Sequence, residues 1–412
     1  MHVLIIPSEE YVPEHTPGAG IFQHDQALAL KSKGIKVGAL SVSNRYSFFV
    51  IIRSLFGFSI KNKWLQDLSL GLKLNVLFKA ILGKFPLISK RQKDGINVID
   101  AIGFYWGDSS LKMRQINKWV STAEKAFRYY VNENGLPDII HAHNVLAAGI
   151  FANHIKKKYD LNYLITEHSS DLENIEFREE VHHLIKSAYS NSSKNFAVSN
   201  SLKSFLEPKY NCSVDFLPNI LSDDFESIDI LEKSTEPEVR LLHVANLIEI
   251  KDQPTLLRAF SVLSKKIPNI KLNIIGDGKI KDDLVRLCGE LKVQNQVDFL
   301  GFKTRDFIKK EMLNSNLFVL SSKYETFGVV LIEALACGLP VIASNCGGPE
   351  SIINDSNGKL FEVGNYIQLA EKIEEALATK YDRKKIHADC LKLYGSKTFA
   401  NKMIKLYSEI KQ

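Results

Sequence analysis

The sequence predicts an α/β protein of two halves, each a mostly parallel sheet flanked by helices. Three observations carry that expectation. Residues 317–343 run strand, loop, helix, strand, a βαβ unit of a parallel sheet. The same alternation of short apolar runs and helically spaced segments occurs on both sides of an acidic, irregular stretch at 221–239, which reads as a linker. The length of 412 residues suits two to three domains with sizeable cores. Two doubly wound, Rossmann-like halves, 1–222 and 240–395, followed by a last helix at 396–412, are the economical arrangement.

Composition narrows the class. With 45% hydrophobic and 24% charged residues the chain is ordinary for a globular protein, and its net charge of +6 is too diffuse to argue for nucleic acid. The cysteines, Cys212, Cys288, Cys337, Cys346 and Cys390, are scattered, odd in number and without C-x-x-C spacing. That argues against a disulfide framework or structural zinc and for a reducing compartment. The chain opens on a strand pattern without a charged leader or cleavage site, and no apolar run reaches the ~18–20 residues of a spanning helix. A cytoplasmic protein is expected.

In chain order, residues 3–6 (Val-Leu-Ile-Ile) form a first buried strand. A polar loop with Pro13, Pro17, Gly18 and Gly20 leads into a helix at 21–33 bearing Phe22, Ala27, Leu28 and Leu30, and residues 35–42 form a second strand. Glycine lets backbone approach a ligand closely. Gly18-Ala-Gly20 is not G-x-G-x-x-G, however, and reads equally as a turn.

Residues 44–94 are unusual. Arg45, Arg53, Lys61, Lys63, Lys73, Lys79, Lys84, Lys90, Arg91 and Lys93 face one acid, Asp67, before Asp94. Phe48, Phe49, Phe56, Phe58, Trp64, Phe78 and Phe85 are interleaved, and Trp64, Leu68, Leu72 and Val76 recur every four residues, predicting one helical face. Two readings stand side by side: a peripheral contact with anionic lipid, or helices packed on the sheet with their lysines solvated.

Strand character resumes at 95–102, 137–143 and 162–168. Helices are expected at 110–132 and 145–158, and a strand turning into a helix at 196–201. His141 and His143 share a face at one strand end, and His168 ends the next strand on the same carboxyl edge. A metal reading lacks a carboxylate and an H-E-x-x-H pattern, so ordinary hydrogen-bonded histidines are the competing account.

The second half begins with a strand at 240–245 and a loop carrying Asn246 and Lys251. Asp252 is placed to cap the next helix, with Pro254 in its first turn. Strands follow at 271–275 and 297–300, with Gly276 and Phe302 in the loops behind them. Then comes the stretch that organises this half, residues 321–350: SSKYETFGVVLIEALACGLPVIASNCGGPE. Glu325 lies in the loop after a buried strand, and Glu333 in the first two turns of the following helix. Two carboxylates thus flank one helix N-terminus, whose open N–H groups and partial positive charge suit a phosphate. A buried carboxylate needs donors, which a sugar or ribose diol supplies. Lys251, in a loop at a strand's carboxyl end, is a fixed positive charge for a diphosphate leaving group.

The Glu325/Glu333 spacing, the Ala-Cys-Gly-Leu-Pro-Val turn at 336–341 and the Gly-Gly-Pro-Glu loop at 347–350 together resemble the signature of the retaining glycosyltransferases of family 4. The resemblance implies a GT-B fold: two Rossmann-like domains facing across a cleft, an acceptor-binding first and a nucleotide-sugar-binding second, with the C-terminal helix crossing back to the first. It implies catalytic roles for His168, Lys251 and Glu325. Glu333 would accept the ribose hydroxyls, and Glu325 the sugar hydroxyls. The backbone at Phe327, Gly328 and Val329 would hold the diphosphate or sugar, Gly276 and Phe302 would line the nucleotide edge, and Gly20 would touch donor phosphate or acceptor. His143 matches a second position of less defined duty. Asn246 stands where the family has an arginine in a Gly-Arg-Leu motif. It keeps a hydrogen-bond donor but no charge, so that Lys323 or Arg305 is needed as a second cation unless Lys251 and backbone N–H groups suffice.

No metal and no cofactor are expected, because lysine and helix dipole take the ion's place and the nucleotide-sugar is a substrate. The implied reaction is transfer with retention to a saccharide or lipid-linked saccharide. It would occur on the cytoplasmic face of the plasma membrane, in surface polysaccharide synthesis, with 45–93 meeting the anionic surface. Two other readings compete: another GT-B enzyme such as a nucleotide-sugar epimerase, and a non-enzymatic, membrane-associated saccharide-binding protein, which only Asn246 favours.

Overall fold

A computed structural model of the chain describes residues 1–13, 20–56, 69–105, 113–169, 171–174, 177–230 and 238–411. They divide into two compact units. The first holds Met1–Ala197, Phe205–Asp215 and Ala400–Gln412, and the second Val198–Ser204 and Phe216–Phe399.

The first unit is built on eight strands: β1 (His2–Pro7), β2 (Lys36–Ser47), β3 (Leu87–Lys93), β4 (Ile96–Tyr105), β5 (Ile139–His143), β6 (Tyr163–Glu167), β7 (Lys194–Ala197) and β8 (Asp215–Phe216). Their order is β3-β4-β2-β1-β5-β6-β7-β8. The pairs from β4 to β7 are parallel, whereas β3 runs antiparallel to β4. Every residue of β1 and β5 is buried; β1 reads accordingly as a near-continuous apolar run, while β5 carries His141 and His143 among its apolar residues. The last helix, Ser396–Lys411, begins in the second unit and ends in the first. There Tyr407 Oη lies 2.8 Å from His141 Nδ1, Asn162 Nδ2 donates to the Ile410 carbonyl and Lys411 pairs with Asp138.

The second unit is a six-stranded parallel sheet: β9 (Val239–Val244), β10 (Ile270–Ile275), β11 (Val297–Gly301), β12 (Leu317–Leu320), β13 (Val341–Ser344) and β14 (Gly358–Phe361), ordered β11-β10-β9-β12-β13-β14. Leu256, Phe260, Leu272, Ile274, Val319 and Ile342 are fully buried in its core. The Val329–Ala336 helix ends in a Schellman motif, with Gly338 N–H donating to Leu335 O and Leu339 N–H to Ala334 O. Gly338 sits at φ 64, and a Cβ there would lie 2.6 Å from the Arg383 carbonyl oxygen. Gly338→Ala is therefore expected to lower the thermal midpoint, at a cost of about 2–3 kcal/mol; an unchanged midpoint would contradict the motif's role.

The basic stretch differs most from its sequence reading. Lys90, Arg91 and Lys93 lie on β3, not on a helix, and each has an acidic partner: Glu133, Asp100 and Asp94. A strand edge tolerates this charge because half of β3 faces solvent. Helices span Phe48–Leu55 and Leu70–Ile81. On the second, Val76 and Ala80 are buried with Lys73, while Leu72 is 51% exposed, so Leu72 and Val76 do not share a buried face. Phe58, Lys61, Lys63, Trp64, Asp67 and Leu68 lie outside the described residues, as do Pro17 and Gly18. The stretch read as a linker is partly packed. Phe225 is buried, Leu221 N–H donates to Tyr394 O and Glu226 accepts from Ser396, all within the second unit.

Candidate active site

In the second unit the strand order reverses between β9 and β12, and ligands of open α/β sheets bind outside the carboxyl ends of strands at such a point. His243 on β9 ties the two strands together, its Nδ1 2.8 Å from Val319 O. Burial pushes its imidazole down to about 4, so the group is neutral at physiological pH. The loop after β9 carries Asn246 and Lys251, and the loop after β12 carries Glu325. Strand adjacency brings these loops together although Lys251 and Glu325 are 74 residues apart. Lys251 Nζ donates to Glu325 Oε1 at 2.6 Å, and Ser322 Oγ donates to the same oxygen at 2.7 Å. Both side chains are largely buried, 22% and 13% exposed. Ser321 Oγ holds the Lys251 carbonyl, and Gly348 N–H donates to the Glu325 carbonyl.

Asp252 occupies the N-cap position of the Gln253–Lys266 helix in a left-handed conformation, φ 47, and its side chain makes no cap to a backbone N–H. It accepts instead from Thr255 Oγ1. Aspartate is among the few residues other than glycine that tolerate that φ. Gly276, φ 138, follows β10; a Cβ there would come within 1.9 Å of the Ala245 carbonyl oxygen, so only glycine lets the two loops approach. Asn246 is exposed.

The Val329–Ala336 helix starts at Gly328 in the left-handed region, φ 99, leaving its first amides open toward the loop. Phe327 turns inward, buried against Tyr394. Glu333, 15% exposed, lies one turn in, with Arg305 Nη2 3.9 Å from its Oε1. Arg305 opens the Arg305–Asn314 helix behind β11, and Phe302 just before it is 74% exposed. Lys323 is exposed.

In the first unit, His143 Nδ1 and His168 Nε2 are 2.9 Å apart and their rings stack. His141 stacks on His143 in turn. Burial lowers His141 to about 3 and His143 well below the usual imidazole value, so both are neutral. The His143–His168 contact therefore requires one of the two facing nitrogens to carry the proton and the other to accept it. His168 N–H donates to Asn144 Oδ1, and Phe22 packs on the His168 ring at 4.5 Å. Gly20, φ 69, is the N-cap of the Ile21–Ser32 helix that carries Phe22. Glu167, adjacent to His168, is fully buried and accepts from Val145 N, Ser169 N and Tyr189 Oη; burial raises its carboxyl to about 7. Among the described residues no group of three or more His, Cys, Asp or Glu is arranged to hold a metal ion.

Residues 98–224 match the glycosyltransferase family 4 model, and 224–389 match that of glycosyl transferases group 1. Sucrose-phosphate synthase from Thermosynechococcus elongatus superposes over 99% of both chains with a TM-score of 0.70 at 18% identity, which shows the fold. The fold is GT-B, and both halves of the chain match glycosyltransferase family models. A relative, the N-acetyl-alpha-D-glucosaminyl L-malate synthase of Bacillus anthracis, is 28% identical over 251 residues, 58% of this chain and 65% of its own length. The N-acetylgalactosamine-N,N'-diacetylbacillosaminyl-diphospho-undecaprenol 4-alpha-N-acetylgalactosaminyltransferase of Campylobacter jejuni is 30% identical over 194 residues, 43% of this chain and 50% of its own length. The matches thus span about half to two thirds of these relatives.

Lys251 and Glu325, both singled out by sequence, are brought into contact, as are His143 and His168. Glu333 stands apart from the Lys251–Glu325 pair on the helix, beside Arg305. Ser322, Phe22 and Glu167 escaped sequence reasoning. Ser322 stands three residues before Glu325 in a strand-end loop, a spacing that signals a local hydrogen bond. Glu167 was concealed by its place inside an apolar strand pattern.

Proposed function

We propose that the protein is a retaining glycosyltransferase. It moves a sugar from a nucleotide-sugar to a hydroxyl of a saccharide or lipid-linked saccharide at the cytoplasmic membrane face, in surface polysaccharide synthesis. The observation that carries this reading is the 2.6 Å Lys251–Glu325 contact in the loops at the second unit's strand reversal, three residues ahead of the open Gly328–Val329 helix start. In the reaction the bond from the sugar's anomeric carbon to the phosphate oxygen breaks and the diphosphate keeps the electron pair. Lys251 and the amides around Phe327, Gly328 and Val329 neutralise that charge. The acceptor oxygen bonds to the anomeric carbon on the same face, and its proton passes to the departing phosphate.

Glu325 orients sugar hydroxyls, and Glu333 accepts from the ribose. Gly276 and Phe302 border the nucleotide, with Asn246 donating a hydrogen bond. Arg305, beside Glu333, supplies the second cation that Asn246 does not. His168, its ring set by His143 and Phe22, contacts the donor, and Gly20, which caps the helix carrying Phe22, touches donor phosphate or acceptor. The printed name of the Campylobacter relative supports a lipid-linked acceptor. Purified protein incubated with UDP-, GDP- and ADP-sugars is expected to bind one class and release its nucleotide slowly without acceptor. If none is bound or cleaved, the reading is wrong.

No helix among the described residues is long and apolar enough to cross a membrane. The surface contact we infer rests instead on side chains left in solvent: Phe56, Leu74, Phe78, Ile81 and Leu82 are each at least half exposed, with Arg53 and Lys84 exposed beside them in sequence. Because Lys90, Arg91 and Lys93 already have acidic partners, the apolar residues are the better target. Phe78→Ser with Ile81→Ser is expected to weaken sedimentation with anionic liposomes by about tenfold. Undiminished, salt-insensitive binding would remove the membrane role from this segment.

A further inference from the structure

A buried polar chain ties down the loop that carries Asn246 and Lys251, wholly within the second unit. His243 on β9 and Gln253, which opens the Gln253–Lys266 helix, are both 0% exposed. His243 Nδ1 faces the Val319 carbonyl oxygen on β12 at 2.8 Å. Gln253 Nε2 lies 3.2 Å from His243 Nε2 and 3.0 Å from the Asn246 carbonyl oxygen. That carbonyl also accepts from Ile248 N–H, and the Ile248 carbonyl accepts from Lys251 N–H. A continuous run of contacts thus leads from the strand reversal, through Gln253, to the backbone of the lysine.

The protons in this chain have one consistent placement. A carbonyl oxygen only accepts, so His243 Nδ1 carries the hydrogen that Val319 receives. The buried imidazole is neutral and has no second hydrogen, so its Nε2 presents a lone pair. Gln253 must then turn its NH2 group, not its oxygen, toward His243. One N–H goes to the imidazole and the other to Asn246. The reverse orientation would set Gln253 Oε1 against two acceptors at once. In the orientation that remains, Oε1 is buried and has no hydrogen-bond partner among the described residues. An unpaired buried acceptor is destabilising, so the amide is oriented by its two acceptors and not by the needs of its own oxygen.

We propose that Gln253, held in one orientation by His243, is a positioning residue for Lys251: by fixing the Asn246 carbonyl it closes the loop between them and sets the lysine where a departing diphosphate meets it. The role rests on reading the second unit as the donor site. Asn246 opens this loop and Gln253 follows it, so the amide ties the loop's start to its end. Lys251 stands just before that tie and donates to Glu325. Ser321 Oγ holds the lysine's own carbonyl from the β12 side. The lysine backbone is thereby fixed from both strands of the reversal, and Gln253, fully buried, meets no substrate itself.

Two measurements on the full chain test this. Nitrogen-15 NMR of histidine-labelled, unmodified protein is expected to show His243 protonated at Nδ1, with Nε2 bare and accepting a hydrogen bond. A proton on Nε2 would overturn the placement and the tie with it. The second measurement is single-turnover nucleotide release from UDP-, GDP- and ADP-glucose, well below the thermal midpoint. Gln253→Met keeps the side chain's length and a good helix former while removing both donors. It is expected to slow release from the accepted sugar about tenfold. In a Lys251→Met background the same substitution should cost less than about twofold, because the lysine it positions is gone. A merely structural glutamine would lower the midpoint and leave the rate of the folded protein alone. An unchanged rate in Gln253→Met, or an equal tenfold loss in both backgrounds, would overturn the positioning role while leaving the donor reading intact. If the unmodified chain binds none of the three nucleotide-sugars, the donor reading fails and the lysine's positioning with it, while the His243 tautomer still reports the tie.

Discussion

Glu333→Ala is expected to lower kcat/KM for the nucleotide-sugar by about a hundredfold to a thousandfold, chiefly by raising donor KM. Glu333 is the one acidic residue of the Val329–Ala336 helix, 15% exposed, with Arg305 Nη2 3.9 Å from its Oε1. A cis diol offers it two O–H donors. Hydrogen bonds to a charged group are worth about 1.5–3 kcal/mol each, and water recovers part of that once the carboxylate is gone. Because the ribose is remote from the bond being broken, ground state and transition state lose the interaction equally, so KM rises and kcat moves little. The helix itself should survive: Leu331, Ile332, Ala334 and Leu335 bury its other side and none of them depends on Glu333. Glu333→Gln, which retains one acceptor oxygen without the charge, should fall between the two. A calorimetric donor Kd in Glu333→Ala equal to that of the unmodified protein would dismiss the ribose role.

Much of this architecture is legible in sequence for a simple reason. Parallel strands covered on both faces are apolar throughout, so Leu317–Leu320 and Val341–Ser344 stand out between polar loops, and the helix between them ends where Gly338 demands a left-handed residue. β3 is not legible, because LISKRQK has the composition of a solvated basic run. It becomes a strand only by pairing its backbone with β4, and the acids that neutralise it are supplied by Asp94, Asp100 and Glu133. The periodicity that assigned Leu72 and Val76 to one face fails for a related reason: the helix buries Lys73, Val76 and Ala80, a face rotated from the apolar one. At the site, residue identities are legible and their pairings are not. Nothing in the local pattern says that β9 and β12 are neighbours, and that adjacency alone sets Lys251 against Glu325. Likewise β5 beside β6 sets His143 against His168.

The Lys251–Glu325 contact raises a question that only a double substitution answers. A lysine that neutralises a departing diphosphate acts in the transition state, so Lys251→Met is expected to reduce kcat by about a hundredfold to a thousandfold while donor KM changes much less. The same loss would follow if Lys251 merely held Glu325 in place, since its removal leaves a mostly buried carboxylate with Ser322 as its remaining side-chain partner among the contacts seen here. The two accounts part company in the combination with Glu325→Gln. If Lys251 serves only its neighbour, neutralising both removes the stranded charge, and Lys251→Met/Glu325→Gln should be no slower than Glu325→Gln alone. If Lys251 meets the diphosphate, the double variant stays at least as slow as Lys251→Met, because no positive side chain has returned to the leaving group. Single-turnover release of nucleotide from a donor with a poor leaving group separates the outcomes further: the lysine's contribution should grow as more charge develops on the departing oxygen. A double variant as fast as Glu325→Gln would move the leaving-group role away from Lys251, and Arg305 would be the next cation to test.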